Sequence, residues 1–213
     1  MSLVSGEPVG DMAAVTGLER TSNLFRYLVL GMAERLQTNA DWIVAVMSSE
    51  SAGTFSPSVR NPNGGATGLI QFMPSTAKSM GTTTDALAAL TAEEQLAYVE
   101  RYFFPFTGKL NSPEDVYMAV FMPVHVGKSP DNVISTAGQK VYEANKGFDR
   151  DQDGVITNRE VGSVVRGKLA GAESRPRIPV FAEEPDDGSG RRLAAGCVLI
   201  GGLYLIWRGV RGG

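Results

Sequence analysis

Apolar positions recur at helical spacing through much of the chain. Leu24, Tyr27, Leu28, Leu30, Gly31 and Leu36 form one stripe, which predicts a helix over about residues 22–37. Asn39 or Asp41 can cap the next helix, which runs through Trp42-Ile43-Val44-Ala45-Val46-Met47 to Glu50. That run is apolar on every side and is expected in the core. Residues 52–67, rich in Gly, Pro and Asn, break the pattern and read as an irregular loop. Pro74 then suits the first turn of a short helix over Ser75–Met80.

Thr91-Ala92-Glu93-Glu94 places a carboxylate three residues after a hydroxyl, the pattern of a capping box. The helix it opens carries Leu96, Val99, Tyr102 and Phe103 on its apolar side. Ser112-Pro113-Glu114-Asp115 starts another, and Val116-Tyr117-Met118-Ala119-Val120-Phe121 is apolar nearly all round. Each clearly patterned element is helical, so the fold is expected to be all-α or nearly so.

The flanks read differently. Residues 1–20 are rich in Gly, Ala and Val with little periodicity, and are expected to form a mobile or partner-ordered arm. Residues 171–192 have the Pro, acidic and Gly-Ser composition of a linker. Residues 193–207 are an uncharged run between Arg191-Arg192 and Arg208, with Tyr204 and Trp207 near its end. The run falls short of the roughly 20 residues of a spanning helix. Its basic flanks and aromatics suit an interface. Two readings stay open: a membrane segment, or a helix packed against partners in an assembly.

Composition narrows the chemistry. A net charge of -3 gives no reason to expect nucleic acid as a ligand. Cys197 is the only cysteine, so no disulfide forms within the chain. His125 is the only histidine, which argues against zinc chemistry and histidine-based triads and leaves it a structural role. The N-terminus lacks the basic and apolar regions of a secretory signal.

Against that background Glu50 stands out. An acid at the C-terminal end of a helix opposes the macrodipole and calls for another reason to be there. At the end of a buried helix, facing a Gly-rich loop, it can stay protonated well above its solution pKa and serve as a general acid.

Glu50-Ser51 is followed by Ala66-Thr67-Gly68-Leu69-Ile70-Gln71 and by Pro74-Ser75-Thr76-Ala77, with Gln71 coming 21 residues after Glu50. Over roughly residues 20–145 the chain resembles the lysozyme-like domain of lytic transglycosylases, which shares its fold with goose-type lysozyme. The resemblance implies a peptidoglycan substrate and Glu50 as the catalytic acid. It implies that Ser51 touches the scissile sugar and helps hold Glu50, and that Gln71 hydrogen-bonds the glycan. Gly68 would let the backbone approach the sugar. Tyr98, Tyr102 and Tyr117 are candidate cleft walls, with Tyr102 and Tyr117 carried forward as substrate contacts.

The family cleaves without water, and one residue serves as acid and then as base. That fits a chain with one convincing acid where most glycosidases need two. The family's third motif, Ala-Tyr-Asn-x-Gly, is replaced here by Ala119-Val120-Phe121-Met122-Pro123, a form similar to phage-type relatives. A phage-type enzyme without a secretory signal would be virion-associated, reach the periplasm and cell wall in the particle, and work beside other virion proteins. A glycan-binding structural virion protein and a hydrolytic lysozyme on the same fold are the rival readings.

A second motif follows. Asp149, Asp151 and Asp153 occupy positions one, three and five of an EF-hand calcium loop, with Gly154 at the turn. Val155 offers its carbonyl at seven, Thr157 stands at nine, and Glu160 at twelve can chelate with both oxygens. The expectation is a structural Ca2+ clip flanked by helices. The whole chain is thus expected to comprise an arm (1–20), a lysozyme-like domain (21–138), an EF-hand-like segment (139–170), a linker (171–192) and a hydrophobic tail (193–213).

Overall fold

The computed structural model describes residues 7–182. In chain order its elements are β1 (Gly10–Met12), α1 (Asn23–Leu36), α2 (Ala40–Glu50), α3 (Pro74–Ser79), α4 (Thr84–Ala88), α5 (Ala92–Phe103), α6 (Pro113–Phe121), β2 (Val133–Thr136), α7 (Lys140–Asn145), β3 (Val155–Thr157), α8 (Asn158–Glu173) and β4 (Ile178–Val180). The fold is mostly helical, as the sequence pattern predicts. The strands pair only as two short antiparallel ribbons, β1 with β4 and β2 with β3.

The caps follow the sequence. The Ser22 hydroxyl accepts from Phe25 N at the start of α1, and Ser112 accepts from Asp115 N at the start of α6. Thr91 and Glu94 form the reciprocal capping box of α5. At α2 the cap is Asn39, whose side chain accepts from Asp41 N. Asp41 is occupied elsewhere, accepting from Ala13 N at 2.7 Å and pairing with Arg177.

α2 is the central helix. Ile43, Val44, Ala45, Val46 and Met47 are all fully buried, which explains an apolar run with no polar face. It packs against α1, α6 and α8. Its far end therefore holds Glu50 in a frame of helices.

Three expectations about the flanks are corrected. Much of the expected arm is core: Met12, Val15 and Leu18 are fully buried, and β1 is tied to β4. These three apolar side chains lack helical spacing and are buried from an extended segment and a short 3-10 turn, Leu18–Arg20, so periodicity does not mark them. The expected linker begins too early, because α8 runs to Glu173 and β4 ends in the buried Val180. The calcium-loop segment is part of the core: Val161, Val165 and Ala172 bury one face of α8 against α2 and α6. Its boundary also lies before residue 139, since β2 pairs with β3 inside the loop. No helix among the described residues is long and apolar enough to cross a membrane. The run 193–207 lies outside the described residues.

Candidate functional site

Glu50 is the last residue of α2, and the chain turns sharply after it. Helix ends leave backbone groups without partners, and Ser51 supplies some of them. Fully buried, its hydroxyl donates to Met47 O at 2.6 Å and accepts from Phe55 N at 3.0 Å. Ser51 therefore shapes the turn beneath Glu50 and does not face a sugar, which corrects the contact expected for it. Ala52 and Phe55 both take left-handed backbone conformations, with φ of 51°. Such strain persists only where the surroundings over-determine it.

The N-terminal segment does part of that. Ser48 Oγ donates to Thr16 O at 2.8 Å, and Arg20 donates to Gly53 O at 2.6 Å. Gly17 lies so close that a Cβ there would stand 1.8 Å from Gly53 O. Residues expected to be a loose arm thus brace the turn that follows Glu50.

Burial pushes the Glu50 carboxyl up to about 7, and a hydrogen bond from the Tyr117 hydroxyl partly offsets this. Tyr117 is itself raised well above the usual phenol range, by burial first and then by the Glu50 charge it faces. Tyr102 is raised for the same two reasons. Its hydroxyl donates to Ala119 O at 2.8 Å, tying α5 to α6, and its ring meets Phe72 edge-on at 6.1 Å. Both tyrosines expected at the site therefore sit near Glu50. Tyr117 acts on the acid directly, while Tyr102 is spent on holding two helices together. Two buried acids on α6 are engaged elsewhere: Glu114 with Arg166, and Asp115 with Ser112 and Gly127 N.

The loop between α2 and α3 is fixed by a residue the sequence pattern did not single out. Gln95 on α5 is fully buried. Its Oε1 accepts from Leu69 N at 2.7 Å, and its Nε2 donates to Leu87 O at 2.8 Å and Pro57 O at 3.1 Å. Gly68 exists to make room for it, since a Cβ at Gly68 would lie 2.3 Å from Gln95 Oε1. That corrects the expectation that Gly68 serves close approach of a sugar. Gln71 follows in a left-handed conformation, φ 54°, with Nε2 donating to Gly68 O and Val59 O. The signal for Gln95 was present: it lies four residues before Val99, on the buried side of α5.

The second motif folds into a loop between α7 and α8. Oxygens of Asp149, Asp151 and Asp153 all lie within 4.8 Å of one another. Asp149 Oδ2 accepts from the Tyr142 hydroxyl at 2.6 Å and from Gly154 N at 3.0 Å, while its Oδ1 is buried with no hydrogen-bond partner. An orphaned buried carboxylate oxygen beside two further carboxylates fits a divalent cation. Gly154 makes the sharp turn with φ +83°. Val155 lies in β3, paired with Thr136 of β2. Thr157 and Glu160 are not drawn into the carboxylate group. They form the capping box of α8, with Glu160 Oε2 accepting from Thr157 N and its Oε1 from Arg150 N. Hydroxyl and carboxylate three residues apart satisfy both patterns, and here the helix cap takes them.

Comparison with known families bears on the first site. Residues 28–97 match the model of the transglycosylase SLT domain. Over those residues, about a third of the chain, it is similar to a lytic-transglycosylase-type domain. Members of that family act on peptidoglycan. A search of curated proteins found no match to the chain. The matched stretch runs from within α1 into α5 and includes Glu50, Gln71 and Gln95. It stops before α6, so Tyr117 and the calcium loop lie outside the matched residues.

Proposed function

We propose that the chain is a lytic transglycosylase that cleaves the β-1,4 bond between N-acetylmuramic acid and N-acetylglucosamine, leaving a 1,6-anhydro end. One observation carries the reading: Glu50 is half-buried at the end of α2, pushed up to about 7 chiefly by desolvation, and the hydroxyl acting on it is neutral. A group so placed can give a proton and take one back near neutrality. Glu50 protonates the glycosidic oxygen as its bond to C1 breaks. The carboxylate formed removes the proton from the muramyl C6 hydroxyl as that oxygen bonds to C1. Tyr117 stabilises the carboxylate between these steps, and Gln71 is the polar contact offered to the glycan.

Calcium belongs to the same proposal as a structural ion. Asp149, Asp151 and Asp153 would hold it, with the Val155 carbonyl, and with Thr157 and Glu160 once released from the helix cap. Its double charge would offset three like charges held close together.

The biological setting we favour is local opening of the cell wall during phage genome delivery, by a virion-associated protein acting in the periplasm. The apolar-Pro form of Val120–Pro123 supports a phage-type enzyme. Contact of residues 193–207 with other virion proteins or a membrane belongs to this reading. Vesicle flotation of the full chain beside a chain ending at residue 192 tests the membrane contact.

The deciding experiment is mass spectrometry of fragments released from peptidoglycan by the protein and by Glu50→Gln. Anhydro ends from the parent alone support the reading. Reducing ends would make it a hydrolase, and intact sacculi from both would leave a glycan-binding structural protein.

A further inference from the structure

The helix that supplies Tyr117 is gripped at both ends by the calcium-loop unit. At the N-terminal end of α6, Arg166 of α8 pairs with Glu114, and Gly162 packs so closely that a Cβ would meet Glu114 Cγ at 2.2 Å. At its C-terminal end, the Phe148 ring meets Phe121 at 5.0 Å. The turn beyond is held too: Asn158 Nδ2 donates to His125 O at 3.1 Å, and Asn132 bonds His125 Nδ1 at 2.8 Å. Between these anchors Tyr117 stacks on Phe121, with ring centroids 6.2 Å apart, and its hydroxyl reaches Glu50. Phe148 directly precedes Asp149, the carboxylate whose Oδ1 is buried and unpaired.

We infer that filling the calcium loop sets the Tyr117 hydroxyl against Glu50, with Phe148 and Phe121 as the positioning residues that connect the two sites. The inference rests on the proposed roles of Glu50 and of the calcium loop. Without a cation, three carboxylates within 4.8 Å repel one another, and the residue beside them is poorly held. With one, Asp149 gains a partner for its orphaned oxygen and Phe148 is fixed against Phe121. Tyr117, packed between Phe121 and Glu50, is then held where its hydroxyl favours the charged carboxylate. The titratable groups that face Glu50 are Tyr117 on α6 and Tyr102 on α5, both raised and so neutral near pH 7. Its midpoint therefore reports burial and hydrogen bonding and not a neighbour's charge.

The test uses the full chain labelled with 13C in the glutamate carboxyls. The Glu50 signal is assigned by its loss in Glu50→Gln and titrated with pH in calcium and in chelator, beside calorimetry of calcium binding. Calcium is expected to lower the Glu50 proton affinity about fivefold or more, the smaller end of typical coupling. Phe121→Leu and Phe148→Leu, each checked for native helical content, are expected to bind calcium and lose the difference. An unchanged midpoint in the parent, or a shift that survives both substitutions, overturns the inference. Absence of calcium binding overturns it together with the calcium reading and leaves Glu50 as the acid. Anhydro products from Glu50→Gln would instead remove the catalytic reading on its own.

Discussion

The Tyr117 hydroxyl, carried on α6, faces the Glu50 carboxyl at the end of α2 and favours its charged form. Two helices that pack together thereby place a neutral donor beside a half-buried acid. The tyrosine of the usual third motif is missing from Val120–Pro123, yet a tyrosine hydroxyl still reaches the acid from two residues before Ala119. The altered motif therefore does not leave Glu50 unsupported.

Removing that donor should change the acid more than the fold. A hydrogen bond to a charged group contributes about 1.5–3 kcal/mol. Tyr117→Phe is expected to raise the Glu50 midpoint above about 7 by about one unit or more and to slow glycan cleavage about tenfold or more. The pH dependence of fragment release checks both. A midpoint that stays put would mean the hydroxyl does not act on Glu50.

The raised midpoint of Glu50 also ties stability to pH. In the unfolded chain it would titrate near 4.5 and in the folded protein near 7, so folding favours its protonated form. Below pH 4.5 Glu50 costs nothing. As pH rises through 7 the folded state loses up to about 3 kcal/mol relative to that limit. Glu50→Gln should therefore be more stable than the parent at pH 8, nearly equal at pH 4.5, and inactive throughout. Urea denaturation of both proteins at the two pH values measures this.

How much of this was legible depended on whether a feature was local. Caps, the apolar α2 and the Glu50–Gln71 spacing are local patterns, and they led to the right helices and to Glu50 at the end of one. Ser51 and Gly68 were found by the same pattern but given the wrong work, because burial and the position of Gln95 are properties of the folded chain. Met12, Val15 and Leu18 were lost because an extended segment that crosses a core shows no period. The place of α8 was lost because a calcium loop sets 139–170 apart as a segment of its own, while the Val161–Val165 face only makes sense beside α2.

Gln95 offers a test of the loop between α2 and α3. Gln95→Leu removes three hydrogen bonds and leaves Leu69 N, Leu87 O and Pro57 O to find other partners. Leaving such groups buried costs about 1–3 kcal/mol each, so a loss of about 3 kcal/mol or more is expected. Gly68→Ala should be comparably damaging, since its Cβ would strike Gln95 and its φ of +86° disfavours any side chain. Denaturant unfolding gives both values. A neutral Gly68→Ala would show that the loop is free to move away from α5.

Chelation offers the last test, and the packing of α8 changes what it should show. A freely attached EF-hand would unravel as a unit. Here Val161 and Val165 are fully buried and Arg166 pairs with Glu114, so α8 is held whether or not a cation is present. The segment before it is exposed and rests on the loop, with Lys140, Lys146 and Arg150 open to trypsin. With a chelator, cleavage after Lys146 and Arg150 is expected to quicken about tenfold, while Arg166 and Lys168 stay protected. Calcium should restore resistance at the first pair, and Asp149→Asn should prevent that restoration. Cleavage rates that ignore calcium at every site would show that the three aspartates are a surface turn stabilised by Tyr142 and Gly154 alone.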